Sequence, residues 1–262
     1  MGRCSTRTAF SNVHARTVAV LAASLLAAAG CARKAAPPAA PASSPRPLTS
    51  WPEGRTPPLK ITDTLVLAIP LQYQRSAIAD GHAPRSPFAG VGGRTEAQFD
   101  FFLPDFTGYT LQNYRNERDP NKVEVVYLHA GDPHEADPGA PGEWPPNMLE
   151  RLLQEQLDRH DYQKMHRLRC YRGRILTDRL ACFGERDARA HEDILLWVPM
   201  SSTPTAEEFP MIKANYFSRR HGGVRIAWRT AAGNLPQWRE IDAQIWQFIE
   251  DWSVPQGPVS RN

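Results

Sequence analysis

The chain has 262 residues and carries 31 lysines and arginines against 28 aspartates and glutamates, a formal charge of +3. Arg3, Arg7 and Arg16 make up that excess, with no acidic residue among them, so the rest of the chain is neutral and gives no case for a nucleic acid or an acidic substrate as partner. After residue 30 no apolar run approaches the roughly 20 residues that a membrane-spanning helix needs.

Residues 18–29 form an apolar run of about a dozen residues, right for the core of a signal peptide and too short for a bilayer core of about 30 Å. The run closes on Ala28-Ala29-Gly30-Cys31. Basic flank, apolar run, small residues and cysteine, in that order, resemble the lipobox of bacterial lipoproteins, with Ala28 where leucine is usual. The resemblance implies cleavage before Cys31, acylation of its thiol and of the new amine, and a bilayer as partner. Each buried CH₂ contributes about 0.8 kcal/mol, so two or more chains hold stably. Ala32, where aspartate commonly signals inner-membrane retention in that family, implies the outer membrane, with the domain facing the periplasm. A plain secretory signal cleaved near Ala29 and a buried Ala/Leu helix with an incidental cysteine are the other readings.

Residues 31–58 follow as a tether. Eight prolines amid Ala and Ser leave too little apolar surface to fold. Fully extended, at about 3.1 Å per residue, it would reach roughly 80 Å. The globular part is expected over 59–254, followed by a flexible tail at 255–262.

Strand signals recur as short apolar runs bounded by turn residues: 64–69 before Pro70, 97–103 before Pro104, 123–128, 194–198 before Pro199, 212–218 and 224–230. Arg219-Arg220-His221-Gly222-Gly223 joins the last two as a hairpin turn. Residues 148–159 read as a helix, with Asn147 as N-cap, Glu150 three residues on, and a face of Leu149, Leu152, Leu153 and Leu157. A C-terminal helix begins after Asn234, with Pro236 in its first turn and Trp238, Ile241, Ile245, Phe248 and Trp252 on one stripe. Many strands, two helices and few βα alternations predict one α+β domain with a largely antiparallel sheet.

Of the four cysteines, Cys4 leaves with the signal and Cys31 takes the lipid. Cys170 and Cys182 flank LRCYRGRILTDRLACFG, which reads as two strands around a turn centred near Leu176. In an oxidising compartment this placement favours a disulfide over a metal or redox pair, because no C-x-x-C occurs.

Catalytic signatures are absent. There is no G-x-S-x-G, no H-E-x-x-H, no P-loop and no G-x-G-x-x-G. His129, His134, Glu135 and Asp137 are acceptable ligand types, but their spacing matches no closed zinc pattern, and a solvated polar loop is favoured over metal binding. His191-Glu192-Asp193 reads as turn chemistry at a strand entrance rather than as an acid–base group. No cofactor is implied. Arg219, Arg220 and His221 form a compact positive tip that would suit a carboxylate-rich partner or a phosphorylated head group, unless it is simply a solvated turn. Lys164, Arg167, Arg169, Arg172 and Arg174 would extend it only if the fold brought them together. In FFLPDFTGYTLQNY, core packing is the favoured use of the phenylalanines, and Tyr109 and Tyr114 are the interface candidates.

FFLPDFTGYTLQNYR, PGAPGEWPPNMLERLL and YFSRRHGGVRIAWRT…LPQWREIDAQIW resemble segments of small proteobacterial lipoproteins, some of which act as immunity proteins beside toxins delivered by contact-dependent secretion systems. The likeness extends over most of 64–252. It implies a non-enzymatic protein-binding module whose partner is a secreted effector. An assembly lipoprotein docked on an envelope machine, and an envelope hydrolase with an unrecognised site, are the competing readings.

Overall fold

A computed structural model describes residues 52–74, 95–116, 118–131, 148–187, 192–201 and 209–255, all within the unit Pro45–Asn262. The lipobox, Cys31, most of the tether, Asn147, His134, Glu135, Asp137, His191 and the tail from residue 256 lie outside the described residues.

Two short strands, β1 (Leu59–Lys60) and β2 (Val66–Leu67), pair antiparallel. The main sheet has eight strands: β3 (Glu96–Phe102), β4 (Lys122–Ala130), β5 (Leu157–Met165), β6 (Leu168–Gly173), β7 (Arg179–Asp187), β8 (Glu192–Pro199), β9 (Met211–Ser218) and β10 (Val224–Ala231). Helix α1 (Met148–Glu155) precedes β5, and α2 (Trp238–Trp252) follows β10. The strand order is β3-β4-β10-β9-β8-β7-β6-β5, with every pair antiparallel. Strands β5 to β10 thus form one meander, and β10 returns to lie against β4. The largely antiparallel α+β fold read from the strand pattern is the fold observed.

Side chains alternate across the sheet, so the register assigns each residue a face. Cys182, Leu196, Ala214, Trp228 and Val125 stand in one row on the face that α2 covers. The stripe of Trp238, Ile241, Ile245, Phe248 and Trp252 packs there with Leu65, Leu67 and Ile69. At one end the rings of Tyr73, Phe99, Phe248 and Trp252 meet, with Tyr73 4.9 Å from both Phe248 and Trp252. The opposite face holds a smaller cluster, where Leu152 and Leu153 of α1 cover Leu157, Tyr171, Ala181, Phe183 and Leu195.

Three elements differ from expectation. The helix predicted over 148–159 stops at Glu155, and Leu157 opens β5. Leu157 is buried in the cluster beneath α1, as its place on the apolar stripe implied, but it arrives there from a strand. The rest of β5 is an almost wholly exposed edge strand, so it has no apolar alternation to detect. In the apolar run 64–69, Leu65, Leu67, Ala68 and Ile69 are buried, yet only Val66–Leu67 pairs as strand. Ordered pairing also begins inside the expected tether: the Thr56 N–H donates to the Ile69 carbonyl at 2.8 Å, and the Ile69 N–H to Thr56 Oγ1 at 3.0 Å.

Cys170 and Cys182 stand directly opposite each other on β6 and β7, both fully buried, and are joined by a disulfide. The sequence separation is 12, and closing a loop of that size stabilises by about 3 kcal/mol in the chain-entropy account. The Cys170→Ala/Cys182→Ala double variant is expected to lose about that amount, read as a lowered urea midpoint with an unchanged near-native spectrum.

Candidate functional site

The β9–β10 turn is not a free hairpin tip. Gly222 and Gly223 take φ of 80° and 102°, and His221 takes 53°, which bends the turn back over the sheet. Thr62 Oγ1 donates to the His221 carbonyl at 2.6 Å. His221 Nε2 lies 3.0 Å from Glu250 Oε1, and its ring is parallel to that of Trp246. The Arg220 guanidinium sits 4.8 Å from the Trp246 ring centroid. The predicted positive tip therefore docks on α2. Arg169 and Arg172 are on β6, separated from β9 by β8 and β7, and Lys164 is on β5 beyond it, so they do not extend the tip. Arg172 instead pairs with Asp161 at 3.1 Å.

Behind the tip lies a buried ionic frame. Arg186, near the end of β7, has a side chain only 4% exposed and forms an ion pair with Glu192, the first residue of β8, which is 1% exposed. Arg186 Nη1 also lies 3.7 Å from Asp242 Oδ2 on α2. Its guanidinium lies over the rings of Tyr216 and Trp246. Trp246 Nε1 donates to Tyr216 Oη at 3.0 Å. Glu192 Oε1 accepts from Ser218 Oγ and from the Arg219 N–H, each at 3.0 Å, which ties the tip to β8. Burial pushes the Asp242 carboxyl above the usual carboxylate range, against the pull of Arg186. Burial likewise raises the Tyr216 hydroxyl far above its ordinary value. A cleft of about 450 Å³ opens over this frame between Arg186, Arg220, Trp238, Arg239, Trp246 and Glu250.

Glu192, expected in a turn, is thus a buried anchor. Arg186, Tyr216 and Asp242 were missed. One signal pointed to Asp242: it lies beside Ile241 on the buried side of α2, and a charge there needs a buried partner.

Tyr109 is 4% exposed and faces inward, its hydroxyl donating to Asp100. Lys122 lies 3.3 Å from Asp100 and 2.6 Å from Glu124, which also pairs with Arg229. Burial raises the Asp100 carboxyl. Burial acts in the same direction on Glu124, but hydrogen bonds from Arg229 and Lys122 outweigh it and hold that carboxyl below its ordinary value. The other interface candidate, Tyr114, is half-buried and accepts from Arg115 Nε at 2.7 Å. His129 Nδ1 lies 2.6 Å from the carbonyl of Ala130. No group of three or more His, Cys, Asp or Glu placed to hold a metal occurs among the described residues.

The chain is an α+β scaffold: an eight-stranded antiparallel sheet backed by a long C-terminal helix, with a buried ionic frame of Arg186, Glu192 and Asp242. No family model and no curated protein sequence matches the chain. Its fold is similar to that of Smlt3025, an immunity protein of the Stenotrophomonas maltophilia type IV secretion system, with a TM-score of 0.50 and 9% identity. The match covers 82% of this chain and 100% of that one.

Proposed function

We propose that this protein is an effector-neutralising binding protein of the immunity type, held to the cell envelope by lipid on Cys31. The observation that carries this reading is the shared fold, which runs the whole length of Smlt3025. The ionic frame is consistent with it, because a rigid scaffold loses little conformational freedom on binding. Neutralisation of this kind works by occupying the effector and asks for no catalytic group. A lipid anchor would keep the domain at high local concentration where an envelope-directed effector arrives.

A deletion strain grown densely with its parent on a solid surface is expected to die only on contact, and the plasmid-borne gene to rescue it. Cys31→Ser is expected to remove the protein from the pelleted membrane fraction. Equal survival on the surface and in separated liquid culture would reject the immunity reading in favour of a docking lipoprotein.

A further inference from the structure

The strand order leaves β5 at one end of the sheet, paired with β6 on one side and with no strand on the other among the described residues. Its first half is bulged, because the register slips between Leu157 and Tyr162. Its second half, Tyr162–Met165, pairs regularly with β6 and so presents a short, regular outer edge of main-chain groups. The charges divide in the same way. In the bulged half Arg159 pairs with Glu150, Asp161 pairs with Arg172, and Asp158 Oδ1 accepts from the His160 N–H. In the regular half Lys164 stands directly across from Arg169, and Arg167 sits in the turn between them. All three cations are exposed, and none has a carboxylate within ion-pair distance among the described residues. Arg239 of α2 lies beside Arg167 around a shallow pocket of about 200 Å³ that also holds an acid, Glu240.

Folding alone gives no account of this hairpin. Like charges directly opposite on neighbouring strands destabilise a sheet. The turn residues His166 and Arg167 take φ of 48° and 63°, left-handed positions where Asn-Gly would sit with less strain. The hairpin is nevertheless held firmly: Trp238 Nε1 donates to the His166 carbonyl at 2.9 Å, and Cys170, next to Arg169, is joined to Cys182. Tyr162, two residues from Lys164 and so on the same face, is 51% exposed, with its ring 5.5 Å from that of Tyr171.

We infer that the edge Tyr162–Met165 takes an extended acidic segment of the effector as an added strand. A carboxylate of that segment stands opposite Lys164, and an apolar side chain two residues away lies against Tyr162. Main-chain groups supply the hydrogen bonds of strand addition, and the cations choose the sign of the partner. The same cations oppose pairing of β5 with the β5 of a second copy. The N-terminal segment joins the fold at the other end of the sheet, where the Ala68 N–H donates to the Trp252 carbonyl and Trp252 meets Phe99 of β3. The basic edge therefore lies across the sheet from the membrane attachment, which favours a protein over the anchoring bilayer as its occupant. The identity of the partner rests on the effector-neutralising reading. The chemistry, an acidic and extended polypeptide, follows from the edge.

The test uses the full chain purified in detergent and a short fluorescein-labelled peptide repeating Phe-Thr-Glu-Thr, read by anisotropy and by amide hydrogen exchange. The peptide should bind, slow exchange across residues 162–165, and bind Lys164→Glu about tenfold or more weakly, since that variant sets like charges against each other. Lys164→Glu gains Arg169 as a neighbour of opposite charge, so its melting temperature should not fall. Arg167→Gly should weaken the peptide while the melting temperature holds or rises, because glycine suits the left-handed turn. No binding, equal binding to Lys164→Glu, unchanged exchange at 162–165, or preference for a Phe-Thr-Lys-Thr peptide or for phosphatidylglycerol vesicles would overturn the assignment. Protection of 162–165 that grows with protein concentration alone would also overturn it and give the edge to a second copy. Contact killing separates the two readings. If Lys164→Glu protects as well as the wild-type gene, immunity stands and the edge is not its site. If the wild-type gene itself fails to protect, immunity falls and the peptide result alone judges the edge.

Discussion

Replacing Arg186 with methionine is expected to lower the free energy of unfolding by about 3–5 kcal/mol, the cost of breaking a buried ion pair from one side. The side chain is 4% exposed, and its removal strands two acids. Glu192 keeps the donors Ser218 Oγ and the Arg219 N–H but loses its cation. Asp242 loses the leading influence that opposes its burial. Methionine retains most of the volume against Tyr216 and Trp246, so the loss measures charge rather than cavity. A domain of this size has about 5–15 kcal/mol in all, which makes the effect visible as a large drop in urea midpoint.

The pH dependence has a definite sign. A carboxyl whose folded pKa is raised binds its proton more tightly in the native state. Its contribution is therefore favourable below the ordinary aspartate range and is lost as pH rises through the folded value. Without Arg186 the Asp242 carboxyl rises further, so the deficit relative to wild type should be widest at neutral pH and narrow under mild acid. Urea titrations at the two pH values, wild type beside variant, check this; a deficit constant with pH would mean that lost packing, not uncompensated charge, is responsible. Adding Glu192→Gln and Asp242→Asn to Arg186→Met should recover much of the loss, because no buried charge then lacks a partner.

Trp238→Ala is expected to cost a similar amount, about 3–5 kcal/mol, through the cavity left by a fully buried indole. Trp238 opens α2 and is 1% exposed. Its Nε1 donates to the His166 carbonyl in the β5–β6 turn at 2.9 Å, so one side chain holds the start of the helix to the far part of the sheet. The ring packs so closely on β7 that a Cβ at Gly184 would come within 2.8 Å of it and 2.5 Å of Leu168. Trp238→Phe should keep most of the packing and lose about 1 kcal/mol with the hydrogen bond. Gly184→Ala should destabilise by pushing the same ring outward. Thermal melts of the three variants, followed in the near-ultraviolet, would show whether α2 detaches before the sheet unfolds; equal stability of Trp238→Ala and wild type would remove Trp238 as the helix anchor.

The local periods were legible in the sequence. The alternations behind β3, β4 and β8 to β10 and the 3.6-residue stripe of α2 follow from burial of one face, and the Cys170–Cys182 spacing followed from hairpin symmetry. Strand β5 was not legible, because an edge strand exposed from Arg159 to Lys164 carries no apolar alternation after Leu157. The tip at Arg219 to His221 read as solvated because nothing local says that the chain bends it onto Trp246 and Glu250. The roles of Tyr109 and Glu192 were hidden in the same way: each is defined by a partner that the chain's turns bring back to it, Asp100 for one and Arg186 for the other.

By itself the sequence determined most of the element types and the class of fold, since those depend on neighbours along the chain. Only the tertiary structure decided that β10 returns to β4, that Arg186 finds Glu192 and Asp242, and that Lys164 faces Arg169 at the open edge of the sheet. Those pairings are set by strand order and register, which arise from the whole apolar face being buried at once and from no single segment.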